Sequence, residues 1–370
     1  MIPVNEPVIG QAEIDNVVDA LRSGWISSAG TYLGQFESEF AAYCGRRHGI
    51  AVTNGTAALQ LAVSCLDLEP SAEIIMPSFT IISCALAAIY NGAVPVLVDA
   101  DADTWCMDVS QIEAKVTSRT RAIMPVHIYG HPVDMDAVRT VAQRHGLAVI
   151  EDAAEAHGAE YRGGKCGGFG DISCFSFYAN KIVTTGEGGM LLTDDDAVAA
   201  AARSRRNLCF GAQHRFVHED FGDNFRMTNL QAALGVGQLE RIEATVARKR
   251  QVAAAYSAGL AGLPLRMPVE REWAKSVYWM FGVVLDDSVP FDADGFGRRL
   301  AERGVQTRPF FTGMHRQPVL LDQGFFGCES YPVTDRLAER GLYLPSGQAI
   351  TDEQVAAVIA AIRDALEERT

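Results

Sequence analysis

Short, almost wholly apolar runs of strand length recur near residues 49–53, 73–76, 94–98, 121–128, 147–152, 171–177 and 189–193. Helical stretches near 56–66, 80–90, 134–145 and 195–208 lie between several of them. A strand that is apolar on both faces must be covered on both, and an intervening helix supplies the crossover that parallel pairing needs. The alternation predicts an α/β fold with a mostly parallel central sheet flanked by helices. From Met227 to about Leu260 the pattern turns helical, with Leu230, Leu234, Leu239 and Ile242 at helical spacings. One long helix there would lead into a smaller C-terminal α+β domain, with a strand near 278–285 and helices near 292–303 and 352–368. The expected division is therefore 1–245, including an N-terminal arm, and 246–370.

Two of these strands end in groups that are expensive to bury. The run Ile172–Phe177 alternates as a buried strand and leads to a single lysine, Lys181, before the chain turns through Gly186, Gly188 and Gly189. Desolvation disfavours an ammonium and lowers its pKa. That is useful where an amine must be neutral and nucleophilic, as in a Schiff base with an aldehyde cofactor. Taken alone, a lysine snorkelling to the surface explains the pattern equally well. The apolar strand Leu147–Asp152 tips the balance. It stops on a carboxylate at the carboxyl end, where open α/β sheets place ligands. A buried carboxylate needs a cationic partner, and the protonated ring nitrogen of pyridoxal phosphate is one. Capping a following helix is the plainer role for Asp152. Ser176 offers a hydroxyl to a phosphate. Gly49–Leu59 reads as a strand, the turn Asn54-Gly55-Thr56 and a helix whose free N–H groups form an anion site. Together the three elements favour the cofactor.

The same segments carry a resemblance to a known family. Gly24-Trp-Ile-Ser-Ser28, Val126–Met135, Glu151–Ala156, Gly170–Phe177, Asn180–Gly189, Asn224-Phe-Arg-Met227 and Thr307-Arg-Pro309 occur in order, and the likeness runs from Ile2-Pro-Val to the final helix. On these motifs the chain resembles the DegT-type sugar aminotransferases, a branch of the fold-type I pyridoxal phosphate enzymes. The resemblance implies that Lys181 is the Schiff-base lysine and that Asp152 pairs with the ring nitrogen. Glu155 would sit by the ring, and Gly55, Thr56 and Ser176 would hold the phosphate. Asn224 would reach the phosphate bound by a neighbouring subunit, which implies a homodimer with shared sites. Arg308 and His315 would lie near a sugar nucleotide, although a packed loop histidine is the plainer role for His315. L-glutamate is the implied amino donor. The implied acceptor is a keto-sugar nucleotide, GDP-4-keto-6-deoxymannose before others. Amination at C3 of a related sugar, a keto-cyclitol acceptor, and a regulatory protein of the same fold without turnover stay open. Lys181 counts against the last, and against a related dehydratase that has histidine at this place. One departure concerns the ring. The family often has an aromatic residue stacking on it after Pro77-Ser-Phe-Thr80, where this chain has Ile81. Either an aliphatic face covers the ring or Phe79 contributes.

Composition narrows the remaining classes. The 370 residues are 48% hydrophobic and 21% charged, which suits a soluble enzyme with a sizeable core. A net charge of −14 argues against nucleic acid or an anionic membrane as partner. The apolar region 74–98 is broken by Pro77, Asn91 and Pro95, so it does not predict a membrane span. Eight scattered cysteines without a Cys-x-x-Cys pair, and a start lacking signal-peptide features, predict reduced thiols in a cytoplasmic protein. In Gly163–Gly170 a cysteine follows Lys165 and a strand comes next, so a hairpin turn is expected rather than a phosphate loop. Gly130 and Pro132 keep His127 and His131 off one helical face, and no metal site is expected. His157 is expected behind Asp152. Arg203, Arg205, Arg206 and Arg215 read as a solvated face. Arg226, within the Asn224 segment, could equally meet nucleotide phosphates or a second subunit.

Overall fold

Why the apolar runs carry so little polar relief is clear from what covers them. In the computed structural model, which describes residues 1–211, 214, 216–218 and 220–367, seven strands form the central sheet. These are β1 (His48–Val52), β2 (Glu73–Pro77), β3 (Val94–Val98), β4 (Thr120–Ile123), β5 (Ala148–Asp152) and, after the short hairpin β6 (Glu160–Tyr161) and β7 (Gly164–Lys165), β8 (Ile172–Ser176) and β9 (Gly189–Thr193). Their order is β1-β9-β8-β5-β4-β2-β3, and β9 alone runs antiparallel to its neighbours. All residues of β2 and β9 are buried, as strands covered on both faces must be. The helices Gly55–Ser64, Ser83–Tyr90, Met135–His145 and Asp196–Arg205 lie where the alternation predicts them, with small shifts at their ends.

Three expectations need correction. β4 stops at Ile123 rather than 128. Pro125 has no N–H for the ladder, and the chain leaves the sheet through Tyr129, whose φ is 51°. The long helix is two helices, Asn229–Glu240 and Ile242–Gly259, jointed at Arg241 with φ −110° and ψ 9°. The side chain at the joint reaches Gln348 at 3.1 Å and Glu13 at 3.6 Å, partners far away in sequence. No helix follows β5, so Asp152 is not a helix cap. The glycine-rich segment is a hairpin as expected. Its turn is Arg162-Gly163, both with positive φ, and Lys165 pairs with Glu160 and Glu243 at 3.0 and 2.7 Å.

The C-terminal strands are β10 (Leu265–Arg266), β11 (Ala274–Lys275), β12 (Phe281–Leu285), β13 (Arg308–Pro309) and β14 (Gly341–Leu344). β11 joins the hairpin β6–β7, and the other four make an antiparallel sheet in the order β10-β12-β14-β13. The helices Ala293–Glu302 and Asp352–Glu367 cover it, and Tyr256, Phe281, Phe296, Leu344 and Ile362 belong to its own hydrophobic cluster. The helix Ile242–Gly259 gives Val246 to the cluster around the central sheet and Val252 and Tyr256 to this second one. The N-terminal arm runs along the C-terminal half: Ile2 N–H donates to Gly304 at 2.7 Å, and Ser346 N–H to Val4 at 3.0 Å. All eight cysteines are free, six of them buried. No described helix is long and apolar enough to cross a membrane.

Candidate active site

Strand alternation sends neighbouring side chains to opposite faces, and β5 uses both faces for carboxylates. Glu151, turned one way, accepts from the N–H groups of Phe169 and Gly170 at 2.9 Å, from the Ser173 hydroxyl at 3.0 Å and from His127 Nε2 at 2.9 Å. Burial opposes its charge, but His127 and the backbone donors lower its pKa to about 2. Asp152, turned the other way, accepts from Ala154 N–H at 3.0 Å and from the Cys84 thiol at 3.2 Å. Burial raises its pKa; those two donors and the charge of Lys181 oppose the rise.

Lys181 lies in the loop after β8, and its side chain is 9% exposed. Nζ stands 3.6 Å from Glu155 Oε1 and 3.6 Å from the centroid of the Trp279 ring. Burial lowers its pKa against the pull of Glu155 and Asp152. Glu155 accepts from Tyr129 N–H at 2.7 Å, and burial pushes its pKa up to about 7. The helix Gly55–Ser64 begins beside the end of β8. Asn54 caps it by accepting from Ala57 N–H at 2.8 Å, while the N–H groups of Gly55 and Thr56 have no carbonyl within the helix to bond. A Cβ on Gly55 would lie 2.7 Å from Ser176 Cβ, so any side chain there would push the helix end off the serine. Thr56 Oγ1 is 2.8 Å from Ser83 Oγ.

This donor set fits pyridoxal phosphate. A helix N-terminus closed against a serine suits the phosphate, a buried carboxylate suits the ring nitrogen, and a buried amine lies within reach of that carboxylate's field.

Other expected residues are placed differently. Asn224 is exposed, and its backbone bridges Asn207. Arg308 is exposed on the edge strand β13. His315 is buried with both ring nitrogens engaged, Nδ1 with Ser78 at 2.7 Å and Nε2 with Asp335 at 2.8 Å. Either ring nitrogen could meet a sugar nucleotide only by giving up its present partner. Phe79 is fully buried against Tyr129, Phe310 and Phe311 and is not free to cover a ring, whereas Ile81 is 47% exposed. His157 packs against Phe40, Phe175 and Phe177, and burial lowers its pKa to about 3.

The arginines are largely structural ties. Arg203 reaches Gly49, Arg205 pairs with Asp67, Arg206 with Glu37, and Arg226 donates to Asn207 at 2.9 Å. Arg215 lies outside the described residues. His131 is bonded to Pro132 and Arg271. His127, Glu151 and Cys166 bring ligand atoms within 4.8 Å of one another. There His127 Nδ1 accepts from Val133 N–H, which leaves Nε2 protonated and donating to Glu151.

Sequence reasoning missed Cys84 and Trp279. Each looks like an ordinary core residue, and only the fold brings them to Asp152 and Lys181. The Glu155 geometry makes a separate prediction for the cofactor-free protein. Its folded pKa, about 7, exceeds the ordinary glutamate value of about 4.3. The folded state therefore binds more protons between those values, and this contribution to stability falls as pH rises through that window. Urea unfolding should show wild type losing more stability from pH 5 to pH 7 than Glu155→Gln. Equal losses would mean that Glu155 is already ionised at pH 5.

Comparison with known proteins gives the family. Residues 7–363 match the DegT/DnrJ/EryC1/StrS aminotransferase family. The chain is 41% identical over 367 residues to GDP-perosamine synthase of Caulobacter vibrioides, spanning 99% of this chain and 98% of that protein. It is 37% identical over 360 residues to dTDP-3-amino-3,4,6-trideoxy-alpha-D-glucose transaminase of Streptomyces venezuelae, spanning 96% and 92%. The fold matches Spr1654 of Streptococcus pneumoniae in its PLP form with a TM-score of 0.93 at 25% identity, spanning 100% and 99%. With that family matched over nearly the whole chain and a site that fits its cofactor, this protein belongs to the DegT/DnrJ/EryC1/StrS aminotransferases and works with pyridoxal phosphate.

Proposed function

We propose that this aminotransferase moves the amino group of L-glutamate to C4 of GDP-4-keto-6-deoxymannose, giving GDP-perosamine. The observation that carries the reading is the full-length likeness to GDP-perosamine synthase at 41% identity. When bound, pyridoxal phosphate supplies an aldehyde that exchanges amines and a ring that takes up electron density. The N–H groups of Gly55 and Thr56 and the hydroxyl of Ser176 hold its phosphate. Asp152 keeps a proton on the ring nitrogen. Lys181 Nζ would hold the cofactor, and its amine would serve as the general base and acid that moves the proton at the donor's Cα. Glu155, 3.6 Å from that amine, balances its charge.

The second reading is amination at C3 of a dTDP-linked sugar, favoured by the 37% identity to the S. venezuelae transaminase. Incubation with L-glutamate and a panel of GDP- and dTDP-linked keto sugars, with mass spectrometry and NMR of the products, separates the two. An amine at C4 of the GDP sugar is the expected product. Turnover confined to a 3-keto dTDP sugar would replace the first reading with the second, and no turnover with any acceptor would point to a regulatory protein.

The assembly follows the same line. Exposed Asn224 reaches the phosphate bound by a second copy, so the active unit is a homodimer with shared sites. Co-expressed Lys181→Ala and Asn224→Ala chains should then form heterodimers with one fully native site and activity above the sum of the separate variants. Verified heterodimers without that gain would leave each site self-contained. The division into domains falls near residue 245, within the helix that feeds both hydrophobic clusters. Eight free cysteines suit a cytoplasmic, reducing compartment.

A further inference from the structure

Lys181 is held from the C-terminal half of the chain on three sides. The indole N–H of Trp279 donates to the carbonyl of Asn180, the residue before it, at 2.8 Å. Gln348 Nε2 donates to the carbonyl of Ile182, the residue after it, at 3.0 Å. The amine itself rests on the face of Trp279, 3.6 Å from the ring centroid. Trp279 is fixed in turn. Buried Lys249 donates to its carbonyl at 2.7 Å and also to the carbonyl of Ser346. Tyr129 stacks on its ring with centroids 6.2 Å apart, and Gln348 is bonded to Arg241 at 3.1 Å.

We propose that Trp279 is the positioning residue for Lys181, holding its amine against the indole face whenever the lysine is not joined to the cofactor. The inference deepens the function proposed above and rests on Lys181 being the attaching lysine. An aromatic face attracts an ammonium through its quadrupole but accepts no proton from it. It therefore adds, beside the pairing with Glu155, a contact that holds the amine in place without sharing its proton. Glu155, with Oε1 3.6 Å from the same amine, is the competing contact, and its carboxylate is also bonded by Tyr129 N–H at 2.7 Å. The two backbone bonds keep the loop from drifting while the side chain is free. Reattachment then starts from one conformer rather than from a search.

The test compares Trp279→Leu, which keeps neither the flat face nor the N–H, with Trp279→Phe, which keeps a face alone. Enzyme stripped of cofactor is mixed with pyridoxal phosphate, and covalent attachment is followed by absorbance. Borohydride reduction and peptide mapping identify the lysine. In parallel, affinity is measured for pyridoxine 5′-phosphate, an alcohol that cannot bond to a lysine. Trp279→Leu should attach the cofactor about tenfold to a hundredfold more slowly, and Trp279→Phe about threefold, with pyridoxine phosphate affinity unchanged in both. Attachment by Trp279→Leu at the wild-type rate overturns the proposal. So does a parallel loss of pyridoxine phosphate binding, since Trp279 would then only support the pocket. If the leucine variant does not fold, the phenylalanine variant decides: slower attachment at unchanged pyridoxine phosphate affinity supports the proposal, and an equal rate overturns it. A label on another lysine would instead refute the Lys181 assignment.

Discussion

Lys181→Ala is expected to abolish transamination and to leave the protein unable to retain pyridoxal phosphate covalently. The amine lies beside two carboxyl groups and an aromatic face, and among the described residues Lys181 is the lysine whose charge acts on Asp152 and Glu155. On the proposed roles, one residue would serve both as the anchor of the cofactor and as the base that moves the proton at the donor's Cα. Removing both functions should lower kcat by about ten-thousandfold or more. Folding should survive, because alanine removes a buried amine whose solvation is lost in the native state. Peptide mapping after borohydride treatment of wild type should place the label on Lys181, and the variant should show none. A reduced adduct on a different lysine, with activity retained in Lys181→Ala, would sink the assignment.

Asp152→Asn should be nearly isosteric and nearly as stable, yet slower by about a hundredfold to a thousandfold with glutamate. The amide can still accept from Ala154 N–H, which now bonds the carboxylate at 3.0 Å. It cannot hold a proton on a ring nitrogen, because it brings no negative charge. The loss should fall on kcat rather than on binding of the phosphate end, which we propose is held by Gly55, Thr56 and Ser176 from a different strand end. Near-wild-type kcat in Asp152→Asn would show that the ring-nitrogen partner lies elsewhere.

These residues were legible in the sequence for a physical reason. Asp152 and Lys181 follow apolar strands, and a charge placed there is costly enough to need a purpose. The turn at Gly55 is common between strand and helix and became legible only beside Asp152 and Lys181. Trp279 was not legible, since an aromatic residue before an apolar strand is what any core supplies. Its contact to Lys181 crosses 98 positions of chain, the difference between residues 279 and 181. The joint at Arg241 escaped for a similar reason: the apolar spacing continues through it, and the partners Glu13 and Gln348 come from the two ends of the sequence. His315 shows the opposite tension. A histidine in a recognisable segment invites a chemical role, but Ser78 and Asp335 have already taken both nitrogens.

The back-to-back carboxylates of β5 also bear on how reliably the chain reaches its native pairing. A slip of one residue in this strand would preserve most of the sheet's hydrogen bonds while exchanging the two acids, sending Glu151 toward the cofactor side and Asp152 toward the glycine-rich turn. The product would be compact, plausible to a quality-control protease, and chemically dead. Side-chain length guards against it. Glu151 meets donors from Phe169, Gly170, Ser173 and His127 at once. An aspartate, shorter by one methylene, would fall short of that ring of donors and leave several of them buried and unpaired. The misregistered chain is thereby penalised on the face of the strand opposite Asp152, and the difference between two acids proofreads the sheet.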